Sequence, residues 1–149
     1  LRGLPVSMNP FDEMNSKPNF WLSCMIVDQE AMCKQIRGEQ EALFIGETGK
    51  SCPTEILNAI EGINAEGRPI WKPMHMQPIY RMNGFVTREG NGRAITNAYI
   101  AGGAISQNDG RPMDIGMDIF NRGLCLPSDN KMTSEEQQKI IKVISACFE

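Results

Sequence analysis

The sequence predicts an α+β domain of two layers, a small sheet packed against helices. Three observations lead there. The run "NFWLSCMIVD", residues 19 to 28, is unbroken, apolar and rich in β-formers, which suits a strand covered on both faces. Two later stretches carry apolar residues at helical spacing. Strands and helices do not alternate with the regularity of a parallel α/β sheet.

Before that strand, "LRGLPVSMNPFDEMNS" reads as connecting segment, and a chain opening on Leu1 in this way is expected to be a piece of something longer. After it, "QEAMCKQIRGEQEALF" has helix-forming residues around an interior Gly38, and fits one helix or two short ones. In "CPTEILNAIEGINAEGRP", Pro53 stands near a helix start. Ile56, Leu57, Ile60 and Ile63 form one apolar face, and Gly67 is available beyond the end. Asn83-Gly84, Asn91-Gly92 and Asp109-Gly110 mark turns in a glycine-rich region, residues 82 to 113, that reads as surface loops with room for a hairpin.

"DIGMDIFNRGLCLPSD" predicts a short helix stopped by Gly123, a strand over 124 to 126 and a turn at Pro127. The last element is the clearest. Thr133 and Glu136 have capping-box spacing, Glu135 and Lys139 are four apart, and Ile140, Ile141, Val143, Ile144 and Cys147 supply a stripe to bury.

A chain of 149 residues suits a single domain with a real core. With 41% hydrophobic and 22% charged residues and a formal charge of -3, it offers no electrostatic reason to bind nucleic acid or an anionic membrane. No apolar run reaches membrane-spanning length and the first residues lack a signal-peptide pattern, so a cytoplasmic location is expected. Cys24, Cys33, Cys52, Cys125 and Cys147 form an odd set without a CxxC pair. They are expected to be reduced and mostly buried.

"FIGETGKS", residues 44 to 51, has part of a phosphate-binding loop, but Phe44 stands where that motif needs its first glycine, so a polar surface turn is the expectation. A cysteine nucleophile paired with His75 would need a thiolate beside a base, and no spacing selects one cysteine. His75 lacks the neighbouring ligands of a metal site. Its own segment is richer. In "RPIWKPMHMQPIY", residues 68 to 80, Trp71 and Tyr80 offer flat apolar faces, Arg68 and Lys72 cationic donors, and Pro69, Pro73 and Pro78 a stiff, extended backbone. That combination suits an anionic ligand containing rings, and equally an edge strand with its turn.

"KPNFWLSCMIVD", "PTEILNAIEGINAEGRPIWKPMHMQPIY" and "FNRGLCLPSDNKMTSEEQQKIIKVI" together resemble the C-terminal region of sugar-nucleotide aminotransferases of the DegT/DnrJ/StrS type, pyridoxal-phosphate enzymes of fold type I. The resemblance runs nearly the whole length apart from residues 30 to 50 and 82 to 113. It implies the minor domain of such an enzyme, a mostly antiparallel small sheet against helices, over residues 1 to 149. It also implies a homodimer when full length and a substrate that is a 4-keto sugar linked to UDP or GDP, aminated from glutamate in surface-glycan synthesis.

By the same resemblance Arg68, Trp71, Lys72, Met74, His75 and Gln77 would bind the nucleotide sugar, with His75 nearest the reacting centre. Pyridoxal phosphate would sit in the absent N-terminal large domain. None of Lys17, Lys34, Lys50, Lys72, Lys131, Lys139 or Lys142 has the context of the Schiff-base lysine, so the chain alone is expected to bind no cofactor and to be inactive. A free-standing, non-catalytic module for sugar-nucleotide binding or dimerisation is the alternative.

Overall fold

The computed structural model describes residues 1–37, 41–80, 83 and 114–149. Gly38 and the three turn signals beyond residue 82, Asn83 apart, lie outside the described residues. The chain forms two compact units, one of Leu1–Ile70 with Arg122–Glu149 and one of Trp71–Asn121.

The first unit is built on the apolar run read as a strand. Its central residues form β2 (Ser23–Val27), which pairs antiparallel with β1 (Val6–Met8) on one side and β6 (Gly123–Leu126) on the other. β5 (Arg68–Pro69) pairs antiparallel with β6, so the sheet order is β1-β2-β6-β5. Pro69, which has no N–H to give, sits on this edge strand as proline must. Period-2 alternation sends Met25 and Val27 of β2 and Leu124 of β6 to one face, where all three are buried.

That face is covered by α1 (Pro53–Glu61) and α3 (Ser134–Ala146), whose buried Ile56, Ile60, Ile140 and Ile144 complete one core cluster with Ala31. Each fully buried apolar side chain there contributes about 2 kcal/mol by leaving water. The α+β class, a small antiparallel sheet against helices, is thus the observed one.

Pro53 opens α1 at its first turn, where its missing N–H costs nothing. The end differs from the expectation. Asn64, in the left-handed region at φ 59°, closes the helix through Asn64 N–H to Glu61 O (2.8 Å) and Ala65 N–H to Ile60 O (3.1 Å). Ile63 therefore lies past the helix and is exposed rather than on the apolar face. Gly67 has another duty: a Cβ there would stand 2.5 Å from Ile60 Cδ1 and 2.8 Å from Leu57 Cδ2. α3 carries the expected reciprocal cap, Glu136 N–H to Thr133 Oγ1 (3.2 Å) and Thr133 N–H to Glu136 Oε2 (2.8 Å).

Two expectations are overturned. The opening segment is part of the fold: β1 belongs to the sheet, and Leu1, Leu4 and Val6 pack on the core. Asn9, at φ 42°, extends the pairing beyond β1 by offering Oδ1 to the Cys24 N–H (2.7 Å). The helix expected over residues 29 to 44 is instead a 3-10 turn (Gln29–Ala31) and an antiparallel pair, β3 (Lys34–Arg37) with β4 (Ala42–Ile45). The physical reason is tertiary. Gln35 Oε1 accepts from Thr54 Oγ1 (2.9 Å) at the first turn of α1, tying β3 to that helix end. "GETGK" is the expected surface turn, with Gly49 at φ 78° and Lys50 N–H bonded to Glu47 O (2.9 Å).

All five cysteines are free thiols, and Cys33, Cys52 and Cys125 are buried. Burial, then the adjacent Cys52 thiol and the Glu55 carboxylate, push Cys33 up to about 12. Burial, then Glu55 and Cys52, push Cys147 up to about 11. These thiols keep their protons in the folded chain past the ordinary value of 9.0, so above pH 9 the unfolded chain binds fewer protons and stability falls as pH rises. Thermal unfolding followed by circular dichroism should give a Tm that declines from about pH 9 toward pH 12, with a shallower decline in Cys33→Ser. In urea denaturation Gly67→Ala should cost about 1–3 kcal/mol, because its methyl group overpacks Ile60 and Leu57.

Candidate functional site

Prolines divide the segment after β5 into turns rather than holding it extended. Pro73 precedes a 3-10 turn at Met74–Met76, and Pro78 opens another at Pro78–Tyr80. Met76 N–H bonds Pro73 O (2.9 Å), Gln77 N–H bonds Met74 O (3.0 Å) and Tyr80 N–H bonds Gln77 O (2.9 Å). The Gln77 side chain donates to Lys72 O (3.0 Å), which closes the first turn on itself. The edge strand that this segment could form is confined to β5 and ends at Pro69.

This self-bonded run presents His75 from the middle of its first turn. His75 Nε2 lies 2.7 Å from Asp114 Oδ2, and both side chains are about four-fifths or more buried, at 21% and 15% exposure. Asp114 stands immediately ahead of α2 (Ile115–Arg122), where its other oxygen, Oδ1, accepts the Met117 N–H (2.9 Å). One carboxylate therefore caps a helix and orients an imidazole. Because a carboxylate only accepts, Nε2 carries the hydrogen in the neutral ring, and the tautomer follows. Gly116 allows the first turn of α2 to approach Pro73, whose Cγ would be 3.3 Å from a Cβ at that position.

The same segment also exposes apolar side chains. Trp71 is 65% exposed and Met74 is 64% exposed, and Ile79 and Tyr80 are exposed as well. Half-buried Lys72 adds a cation to the same run. Trp71, Lys72, Met74, His75 and Gln77 thus lie in one short segment of the second unit, whose backbone from Lys72 onward bonds to itself. Arg68 belongs to the first unit, on β5 opposite Cys125, and its guanidinium pairs with Glu66.

Sequence reasoning missed Asp114 as a site residue. The available signal was an aspartate directly before an amphipathic stretch, an N-cap pattern, but nothing local connects it with a histidine 39 positions earlier.

Other chemistry finds less support. Among the described residues no group of three or more histidine, cysteine or acidic side chains could hold a metal ion, and no helix is long and apolar enough to cross a membrane. A groove of about 510 Å³ in the first unit is lined in part by Asp129, Lys131, Glu136 and Lys139. Two acids against two bases give no single-sign field for a diphosphate.

Pyridoxal phosphate, implied by the resemblance, requires a lysine whose ammonium is destabilised enough to attack a carbonyl. Six of the chain's seven lysines do not fit it. Lys17, Lys34, Lys131, Lys139 and Lys142 are exposed, and Glu47, 2.7 Å from the Lys50 ammonium, pushes that group the wrong way, up. Lys72 is half-buried.

No protein-family model matches the chain. Over 96 residues, 64% of the chain, it is 31% identical to a Bacillus subtilis (strain 168) protein named "Putative pyridoxal phosphate-dependent aminotransferase EpsN". The match covers 19% of that protein, so the chain spans about a fifth of that relative's length.

Proposed function

We propose that this chain is the C-terminal part of a pyridoxal-phosphate-dependent aminotransferase whose substrate is a nucleotide-linked 4-keto sugar and whose amino donor is glutamate, in bacterial surface-glycan synthesis. In this reading the residues 1 to 149 act as the minor domain, and the N-terminal large domain holds the cofactor and the Schiff-base lysine. The enzyme would be a cytoplasmic homodimer.

The observation that carries the site assignment is the His75–Asp114 pair, set in a stiff turn beside exposed Trp71 and Met74. Its parts match the proposed ligand. The indole face offers stacking area for a sugar or base ring, Lys72 offers charge to a diphosphate, and the oriented imidazole offers a hydrogen-bonding group near a sugar oxygen. Likeness to a protein named as an aminotransferase supports the reaction class. Arg68 enters this reading as a further cationic donor, in competition with Glu66 for its guanidinium.

Calorimetric titration of a UDP- or GDP-linked 4-keto sugar into the enzyme that contains this chain tests the site. Trp71→Ala and His75→Ala should each weaken binding about threefold to thirtyfold. Unchanged affinity and unchanged rate in both variants would remove these residues from the site. The chain alone, mixed with pyridoxal phosphate and glutamate, should develop no aldimine absorbance and form no amino sugar. Turnover by the chain alone would end the proposal.

Asp114→Asn separates capping from orientation. Asparagine caps as well as aspartate, so unfolding should shift by only a few tenths of a kcal/mol, while Asp114→Ala should lose about 1 kcal/mol. Both substitutions should reduce sugar-nucleotide binding to the level of His75→Ala.

A further inference from the structure

Cys24 and Cys125 stand directly opposite each other on β2 and β6, with sulfurs 3.9 Å apart, and both are free thiols. The phase of the hydrogen-bond ladder defines the kind of pair. Cys24 N–H donates to Asn9 Oδ1 (2.7 Å), and Cys24 O accepts from Asn9 N–H (2.7 Å). Both backbone groups of Cys24 therefore point toward the β1 side and away from β6. Cys24 and Cys125 form a non-hydrogen-bonded pair, the closer of the two kinds, with Cα atoms about 4.5 Å apart. A disulfide spans Cα separations of roughly 4.4–6.8 Å, so the bond needs little more than side-chain rotation. Met25 and Leu124 point to the helix-covered face, which leaves the two sulfurs together on the other.

We propose that Cys24 and Cys125 are a site of reversible oxidation that closes into a cross-strand disulfide under low-molecular-weight disulfides of the glutathione type. Half-buried Cys24 is the entry point. Its thiolate attacks one sulfur of the oxidant, forming a mixed disulfide and releasing one thiolate, which takes up the proton that Cys24 gave to solvent. Cys125 then loses its proton to solvent, and its sulfur attacks the Cys24 sulfur and expels the second small thiol. Two protein thiols have lost two electrons, and one small disulfide has become two thiols.

The order of events follows from exposure. Cys125 is 4% exposed, and burial followed by the nearby Cys24 pushes its thiol up to about 11, so it resolves a bond already made next to it rather than starting one. Cys33 is only 3% exposed, which denies a small disulfide the entry that Cys24 offers.

The bond would link residues 101 positions apart and enclose the whole of the second unit in one covalent loop. Cys125 is also the partner of Arg68, so the same bond secures the strand that leads into the candidate site. Loop closure over that length acts mainly on the unfolded chain.

The test is to incubate the reduced full chain with glutathione disulfide at about pH 8, alkylate and map the cysteines by mass spectrometry. The expected product is lighter by two hydrogens, joins the Cys24 and Cys125 peptides, reverts with dithiothreitol and melts about 5–10 °C higher. Cys33→Ser should keep the bond and Cys24→Ser should lose it. A lasting glutathione adduct on Cys24, a bond to Cys33, Cys52 or Cys147, a bond between two chains, or no reaction at all would each overturn the proposal. Mapping on the unsubstituted chain decides the matter whatever the folding of the variants.

Discussion

The antiparallel pairing of β2 with β6 is the constraint on which the first unit depends. It brings Ser23–Val27 beside Gly123–Leu126 across about a hundred residues of intervening chain, and closing so long a loop is entropically unfavourable until burial offsets it. The offset is on the helix face, where Met25 and Leu124 meet as a cross-strand pair under Ile56, Ile60, Ile140 and Ile144. Without that ladder neither helix has a surface to cover, and β5 has no strand to pair with. Within the first unit the Arg122 guanidinium strengthens β2 by donating to Val27 O (2.6 Å).

Elements whose identity is set by their own residues were readable in advance. Thr133 with Glu136, Pro53 at the start of α1 and the apolar run around Met25 each specify a local structure that the folded chain keeps. The misread elements take their identity from a distant partner. β1 is only Val6–Met8, too short for any periodicity, and exists because β2 offers it an edge and Asn9 continues the pairing. Lys34–Arg37 and Ala42–Ile45 contain residues as compatible with helix as with strand. Their pairing is decided by Gln35 reaching Thr54, a contact across 19 positions.

The candidate site divides in the same way. Its residue types were visible, because rings, a cation and a histidine crowd one short segment between prolines. Its geometry was not. The expectation of an extended, proline-stiffened backbone fails because Pro73 and Pro78 fix φ at values that suit a turn as well as an extended chain. Asp114 could be suspected as a cap from its place before Ile115, but its second oxygen has no local signature. Capping consumes only one carboxylate oxygen, and that spare acceptor is what turns a structural residue into a candidate site residue.

β6 and its flanks explain why so short a strand can serve several neighbours. Gly123 is buried at the point where α2 ends. Leu124 belongs to the core and faces Met25 on one side and Pro69 on the other. Cys125 opposes Cys24 and Arg68 on the other face, and its carbonyl lies 3.2 Å from where a Cβ at Gly67 would be, so Gly67 lets the backbone of the α1–β5 connection approach. Ser128 ends the ladder by accepting the Ser23 N–H (3.0 Å) and donating to Leu126 O (3.0 Å). Each side of the strand is therefore committed to a different partner, one to the helices and core, the other to a pair of thiols and the strand that precedes Trp71. A substitution in β6 that spares the core can still disturb β5, which has β6 as its pairing partner.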